Sequence, residues 1–359
     1  MNIAILSCNT GGGHNSAAAA IARELDAQGH TYKIYNTLDF LPPSSARLIS
    51  RGHDFAYRHA PKLYGAGYRY EEKHPPVLLY EQCGKGCLPL WEALTEQGAQ
   101  AVICVHVFPA MMMTELSGRG LYLPSYFVAT DYTCSPGVSE LVVDGICIPH
   151  PLLAEEFAAA GLPADRLYPT GIPVSPEFAP AADREAVRVK LHMVGRSHVL
   201  VLACGSMGAG PLRGAAEVIR QQLGEDDLLV VVCGSNRRLC RQCRTAFMDD
   251  PRVRVLGYTK RMAQFLQAAD LLITKAGGLT TTEAVAAGVP IFYLDAIPGC
   301  ESRNIDFHGY ALAIRAEEEL PALLQGCLSG ALDPTAMVRR RSETFPRHAA
   351  ANIVKLLSE

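Results

Sequence analysis

A long, uninterrupted apolar run is the first thing this 359-residue sequence lacks. The uncharged stretch from Gln97 to Thr114 is broken by Gly98, Gln100, His106 and Pro109, so it reads as a buried strand plus a loop and not as a spanning helix. The start, Met1 to Leu6, has no basic n-region and runs straight into a strand pattern, so no signal peptide is expected there. Strong net charge is missing too. The formal balance is −3, with no global basic field, and no nucleic-acid partner is expected. Tryptophan occurs once, at Trp91. The glycine-rich stretches lack both the G-x-G-x-x-G spacing and the Lys-Ser/Thr of a nucleoside triphosphate loop. No D-x-D pair is present, and the close pairs Cys83/Cys87 and Cys240/Cys243 have no matching half nearby, so no metal is expected. The remaining cysteines, among the 12, fall largely in apparent strands and read as small buried hydrophobes of a reducing compartment.

What remains is an ordinary globular composition, 49% apolar and 19% charged, long enough for two domains of about 150 to 200 residues. The most informative stretch is Asp270 to Asn304. Leu271 to Thr274 is a short apolar run that ends at Lys275-Ala276-Gly277-Gly278, and a helical pattern begins at once through Leu279, Thr280 and Glu283. Strand, glycine turn and helix start together offer unpaired backbone donors and partial positive charge to an anion. Glu283 lies close enough to that turn to be repelled by a diphosphate, unless it holds the ribose diol of the same nucleotide. Ile291 to Leu294 reads as the next strand, with a polar loop from Asp295 to Asn304 at the edge where open α/β sheets bind ligands.

The pattern KAGGLTTTEAVAAGVP followed by IPGCESRN resembles the nucleotide-sugar end of the monogalactosyldiacylglycerol synthase and processive diacylglycerol glucosyltransferase group. More distantly it is similar to the transferase that adds N-acetylglucosamine to lipid-linked muramyl peptide. The resemblance implies an α/β fold of two Rossmann-like domains facing across a cleft, the GT-B architecture, and an inverting glycosyltransferase that uses a UDP-sugar. It implies that Glu283 holds the ribose and that Gly299 and Glu301 meet the donor sugar. Cys300 stands where the family usually has Gln, and a thiol does not replace an amide as paired donor and acceptor, so the sugar is not read from this loop.

The first half repeats the same logic. Asn2 to Ser7 is a strand pattern, and a glycine loop with Gly12, Gly13 and His14 opens a helix over Ala17 to Ala27. Ala101 to Val105 is a buried run that delivers His106, Phe108 and Pro109, and Tyr126 to Thr130 delivers Asp131. The resemblance places Gly12, Gly13, His106 and Phe108 on the acceptor side, with Val105 and Val107 replacing the family's flanking Thr and Pro. Between these, residues 44 to 80 hold six cations against three acids, interleaved with Phe55, Tyr57, Tyr64, Tyr68 and Tyr70. That mixture suits an anionic membrane surface, as well as a solvated helical face.

Pro169, Pro173, Pro176 and Pro180 mark an interdomain linker. The expected division is therefore 1–172, an acceptor-binding and membrane-facing domain; 173–341, a UDP-sugar domain; and 342–359, a terminal helix crossing back to the first. In the second half, strand patterns at Val199 to Ala203, Leu228 to Cys233 and Val253 to Leu256 end at glycine loops. By resemblance Gly205, Ser206, Met207 and Gly208 meet the donor phosphates together with Gly277 and Gly278, while Asn236, Tyr258 and Thr259 lie toward the base. The expected chemistry is one displacement with no cofactor beyond the UDP-sugar, His14 acting as base because histidine titrates near neutrality. Asp131 is the alternative base or the partner that orients His14. The acceptor is expected to be a lipid such as diacylglycerol, and the location cytoplasmic and peripheral to the membrane. A nucleotide-sugar epimerase, or an N-acetylglucosamine transferase acting on another lipid-linked acceptor, stands as the alternative.

Overall fold

The computed structural model describes residues 1–9, 12–50, 60–74, 77–294, 298–308, 316–335 and 344–358. Among these residues eleven strands build two sheets, and every pairing between them is parallel. In the first, β1 (Asn2–Ser7), β2 (Thr31–Asn36), β3 (Ala101–Cys104), β4 (Ser125–Val128), β5 (Gly145–Cys147) and β6 (Leu167–Tyr168) are ordered 2-1-3-4-5-6. The second is ordered 11-10-7-8-9, from β7 (Val199–Ala203), β8 (Leu228–Val232), β9 (Val253–Leu256), β10 (Leu271–Thr274) and β11 (Ile291–Tyr293). Parallel sheets need cover on both faces, which is why central strands such as Val199–Ala203 and Leu228–Val232 are apolar throughout and buried along their whole length. Each sheet has a point where the strand order reverses: between β1 and β3 in the first, between β7 and β10 in the second. Loops leaving such strands diverge to opposite faces and leave a crevice.

Two compact units result. One comprises Met1–Ser175, Ile297–Asn304 and Phe345–Glu359, the other Pro176–Ala296 and Ile305–Thr344. The expected boundary at 172/173 falls three residues early, and the stretch Ile297–Asn304, expected in the second domain, clusters with the first unit. The terminal helix Ala349–Lys355 also lies in the first unit and packs against the helix Gly12–Ala27.

Local structure departs from the expectations in three places. The first helix begins at Gly12, five residues before Ala17, so His14 sits inside its first turn. First-turn residues need no intrahelical N–H partner, and glycine is tolerated there. Ser7 Oγ donates to Asn15 Oδ1 at 2.6 Å and Asn15 Nδ2 donates to Asn9 Oδ1 at 2.7 Å, which fastens this turn to the end of β1. The polar loop expected up to Asn304 is helical from Cys300, in the helix Cys300–His308, with Glu301 in the first turn where an acid suits the dipole. Pro151 opens a short 3₁₀ turn, Pro151–Leu153, ahead of the helix Ala154–Ala159, where the pattern from Leu152 to Gly161 reads as one helix.

The cysteines are free thiols, nine of them buried, spread over both sheets and their helices. Burial pushes the Cys83 and Cys147 thiols up to about 12 and Cys87 to about 11.

One ionic knot holds the start of the second unit. Asp270 accepts from Arg184 Nη2 at 2.6 Å, from Arg188 Nη2 at 2.8 Å and from the Val199 backbone N–H at 2.7 Å. It thereby joins the helix Arg184–Lys190 to the first residues of β7 and β10, and Arg188 is almost wholly buried. Removing the carboxylate leaves that guanidinium with two backbone carbonyls, Ala268 O at 3.2 Å and Arg196 O at 3.3 Å, and with the exposed Glu185 at 3.6 Å as its nearest remaining anion among the described residues. Asp270→Ala is therefore expected to lower unfolding free energy by about 2–4 kcal/mol in urea denaturation, with nucleotide affinity of the folded protein unchanged.

Candidate active site

The first unit gathers its chemistry at the reversal between β1 and β3. Helix Gly12–Ala27 leaves β1 and presents Gly12, Gly13 and His14, while the residue after β3, Val105, turns its carbonyl toward them. His14 Nδ1 lies 2.9 Å from Val105 O and 3.2 Å from Thr130 Oγ1. A carbonyl oxygen only accepts, so Nδ1 carries the proton and Nε2 keeps its lone pair. Burial pulls the imidazole below its ordinary 6.5, against opposing pulls from the Asp131 charge and the Val105 hydrogen bond. His14 is thus neutral and basic at Nε2 near pH 7. The Val105 carbonyl holds Nδ1, and Asp131, expected as the alternative base or as the partner that orients His14, bears on the ring through its charge.

His106 stands beside it, ring centroids 4.5 Å apart and edge to face. It caps the helix Val107–Gly118, its Nδ1 accepting from Phe108 N at 3.0 Å, so in the neutral ring the proton resides on Nε2. The two imidazoles therefore hold opposite tautomers, one accepting and one donating at Nε2. Phe108 packs its ring 4.4 Å from His106. Asp131 follows β4, and its carboxylate accepts from Asn304 Nδ2 at 2.8 Å.

The second unit places its loops at the reversal between β7 and β10. Gly205, Ser206, Met207 and Gly208 leave β7; Gly234, Ser235 and Asn236 follow β8; Tyr258 and Thr259 follow β9; Gly277, Gly278, Leu279 and Thr280 follow β10. The β7 and β8 loops touch backbone to backbone. A Cβ on Gly208 would stand 2.0 Å from the Cys233 carbonyl oxygen, and one on Gly234 would stand 2.3 Å from that of Ser206, both at positive φ. Glycine is the residue that fits either position. Ser235 N donates to Ser206 O at 2.8 Å, and Asn236 caps the helix Arg237–Ala246 while donating to Gly208 O at 3.2 Å. Asn236 is therefore a brace for the β7 loop. Tyr258 is exposed on the edge of the sheet.

Two further residues were not singled out as site residues by sequence reasoning. Lys275 lies over the β7 loop, its Cε 3.1 Å from where a Gly205 Cβ would be, which sets a cation between the two glycine turns at the reversal. The signal was a cation two residues ahead of a glycine pair. The second is Asn304, buried completely. Gly299 and Glu301 lie with Asn304 in the segment that groups with the first unit, away from the unit in which they were expected. Among the described residues no cluster of three or more His, Cys, Asp or Glu is arranged to hold a metal.

Glu283, in the helix Gly278–Ala287, is the acid out of balance. Burial raises its carboxyl to about 8. Thr281 on the same helix accepts from the Tyr293 hydroxyl at 3.0 Å, tying the helix to β11.

With this geometry in view, residues 14–174 match the family model of monogalactosyldiacylglycerol (MGDG) synthase and residues 199–294 that of the glycosyltransferase family 28 C-terminal domain. The fold and the two matches define a glycosyltransferase of the two-Rossmann, GT-B class. The chain is a UDP-sugar-dependent glycosyltransferase whose first half is similar to the MGDG synthase family and whose second half is similar to the family 28 C-terminal domain. A processive diacylglycerol beta-glucosyltransferase of Staphylococcus saprophyticus is 25% identical over 84% of this chain and 77% of that protein. Among solved structures, MurG of Acinetobacter baumannii matches with a TM-score of 0.64 at 17% identity over 99% of both chains. A UDP-GlcNAc 2-epimerase of Neisseria meningitidis reaches 0.68 at 10% identity over the full length of both, a likeness of fold alone.

Glu283 yields a pH test. Its folded value near 8 stands above the ordinary 4.5, so the unpaired carboxylate costs stability increasingly as pH rises from 4.5 through 8. Glu283→Gln is expected to melt higher than the parent at alkaline pH and equally near pH 4.5. Uridine, which carries no phosphate of its own to titrate, should bind the parent more tightly as pH rises toward 8, and the Gln variant weakly at every pH. Calorimetry showing parallel pH profiles for both proteins removes the carboxylate from nucleoside binding.

Proposed function

We propose that the chain moves a hexose from a UDP-sugar to a diacylglycerol-type lipid with inversion at the anomeric carbon. The observation that carries this reading is the His14 tautomer, with Nδ1 committed to Val105 O at 2.9 Å and an open lone pair at Nε2. His14 takes the acceptor hydroxyl proton as that oxygen attacks the anomeric carbon, and the C–O bond to UDP breaks in the same step. The second unit meets the leaving diphosphate with the backbone amides of Gly205 to Gly208 and Gly277 to Thr280, and Glu283 accepts the ribose hydroxyls. Gly299 and Glu301 meet the sugar, and His106 offers an N–H to the acceptor side. The relatives' names support a lipid acceptor, since they act on diacylglycerol.

Association with the cytoplasmic face of an anionic membrane goes with an acceptor of that kind. No helix among the described residues is long and apolar enough to cross a membrane. Within residues 44–80, Leu48, Leu63 and Tyr70 are 64% exposed or more, beside exposed Arg69 and Lys73. Arg51, Phe55, Tyr57 and Arg58 lie outside the described residues. Apolar tips among cations suit an anionic lipid surface.

Two measurements test this. His14→Ala is expected to lower kcat by about 10² to 10⁴ with UDP affinity unchanged, and the parent's kcat should fall on an acid limb centred below pH 6.5. Near-normal turnover in the variant removes His14 from the base role, and incubating UDP-sugars without acceptor detects epimerisation. Sedimentation with vesicles is expected to favour anionic over neutral lipid and to weaken at 1 M salt, where the Debye length is about 3 Å. Leu63→Glu with Arg69→Glu should weaken it further, and equal binding to both vesicle types refutes that surface.

A further inference from the structure

Asn304 makes two hydrogen bonds that fix its own orientation. The Tyr132 backbone N–H only donates, so the oxygen that meets it at 2.6 Å is Oδ1. That leaves Nδ2 to donate to Asp131 Oδ1 at 2.8 Å. Asn304 is fully buried, its bond to Tyr132 N–H is buried with it, and its bond to the half-buried Asp131 is partly shielded. It lies one helical turn beyond Glu301, itself 3% exposed, on the helix Cys300–His308. The segment is held to the first unit by other contacts as well. A Cβ on Gly65 would stand 2.4 Å from Pro298 Cβ, and one on Gly299 would stand 3.1 Å from the Tyr68 ring. Arg303 Nη2 pairs with Glu72 Oε1 at 2.9 Å. The backbone of this segment therefore has its own anchors, and the Asn304 amide is left with a narrower task.

We propose that Asn304 is a positioning residue for the transfer: it holds the Asp131 carboxylate in place beside His14 and ties it to the segment that carries Glu301. The inference rests on His14 being the base. The charged and titratable groups around this pair are His106, edge to face with His14, and Tyr68, near Asp131 and hydrogen-bonded to Ser135. Burial keeps the Tyr68 phenol protonated, so Asp131 is the anion that His14 senses, and its attraction favours the imidazolium that forms as the acceptor proton is taken. A carboxylate free to rotate would deliver that attraction less well. The same amide makes the sugar-side segment and the base one piece.

Two substitutions in the full chain separate positioning from packing. Asn304→Ala removes donor and acceptor, frees Asp131 to turn toward solvent, and is expected to lower kcat about tenfold or more while the donor KM and the UDP affinity stay within about threefold. Its acid limb should move to lower pH, because His14 loses part of the attraction that raises it. Asn304→Asp keeps the acceptor for Tyr132 N–H and sets a second carboxylate against the first, so the limb should move to higher pH, by about half a unit or more. Opposite movements of one limb are not produced by loosened packing, which lowers activity and melting temperature alike. An unmoved limb in both variants, or full kcat in both, overturns the positioning role. A limb that persists in His14→Ala belongs to another group and overturns the base reading instead.

Discussion

A single hydrogen bond, from His14 Nδ1 to the Val105 carbonyl, fixes the tautomer of the histidine at the first unit's strand reversal. It commits one ring nitrogen and leaves the lone pair on the other. The bond exists because β1 and β3 are parallel neighbours in register, Leu6 against Cys104, so the chain leaves both strands at the same height and on opposite faces. The helix start after β1 then faces the carbonyl after β3. The second unit answers the same constraint differently. There the register of Ala203 with Val232 and with Thr274 brings three strand ends level, and glycines allow the loops after β7 and β8 to interlock by backbone alone. One arrangement yields an imidazole with its Nε2 lone pair left over, and the other two interlocked glycine loops with a lysine beside them.

The acids of the chain divide by the same geometry. Asp250 accepts from Arg252, which holds its carboxyl down to about 2, and Asp270 lies between two arginines. These are ties between elements. Glu283 is the opposite case, raised by burial with no cation among its causes. A carboxyl that the fold keeps partly desolvated without compensation is a cost the fold has no reason of its own to carry, and such groups cluster where ligands bind.

Strands were readable in the sequence because buried parallel strands are short apolar runs closed by glycine or polar residues; Val199–Ala203, Val253–Leu256 and Leu271–Thr274 have the expected limits. Helix starts were less readable. Three consecutive glycines signal a loop by propensity, yet Gly12 and Gly13 form a first turn because Ser7, Asn9 and Asn15 hold it from outside. Cys300 to Asn304 failed for a related reason: polar composition suggested a loop, while tertiary contacts at Pro298 and Gly299 fix the turn that lets a helix begin. His14 and Glu283 stood out as candidates because chemistry and backbone punctuation coincide there, and burial shifts both groups from their ordinary values. Val105 was invisible as an orienting group because a carbonyl leaves no mark on the side-chain pattern. Asn304 was visible only as a letter in a motif, since its partner Asp131 is far away in sequence.

The buried free thiols have a consequence of another kind. A thiol sealed in a strand or under a helix reacts with an alkylating reagent only when its surroundings open, because the reagent has no path inward. Cys8, Cys104 and Cys147 sit in or next to strands of one sheet, Cys204 and Cys233 at strand ends of the other, and Cys240 and Cys243 on a covering helix. Each unit thus contains its own set of opening reporters at known depths. The order in which the native protein becomes labelled, peptide by peptide, records which sheet breathes first and at what rate, without any residue being changed.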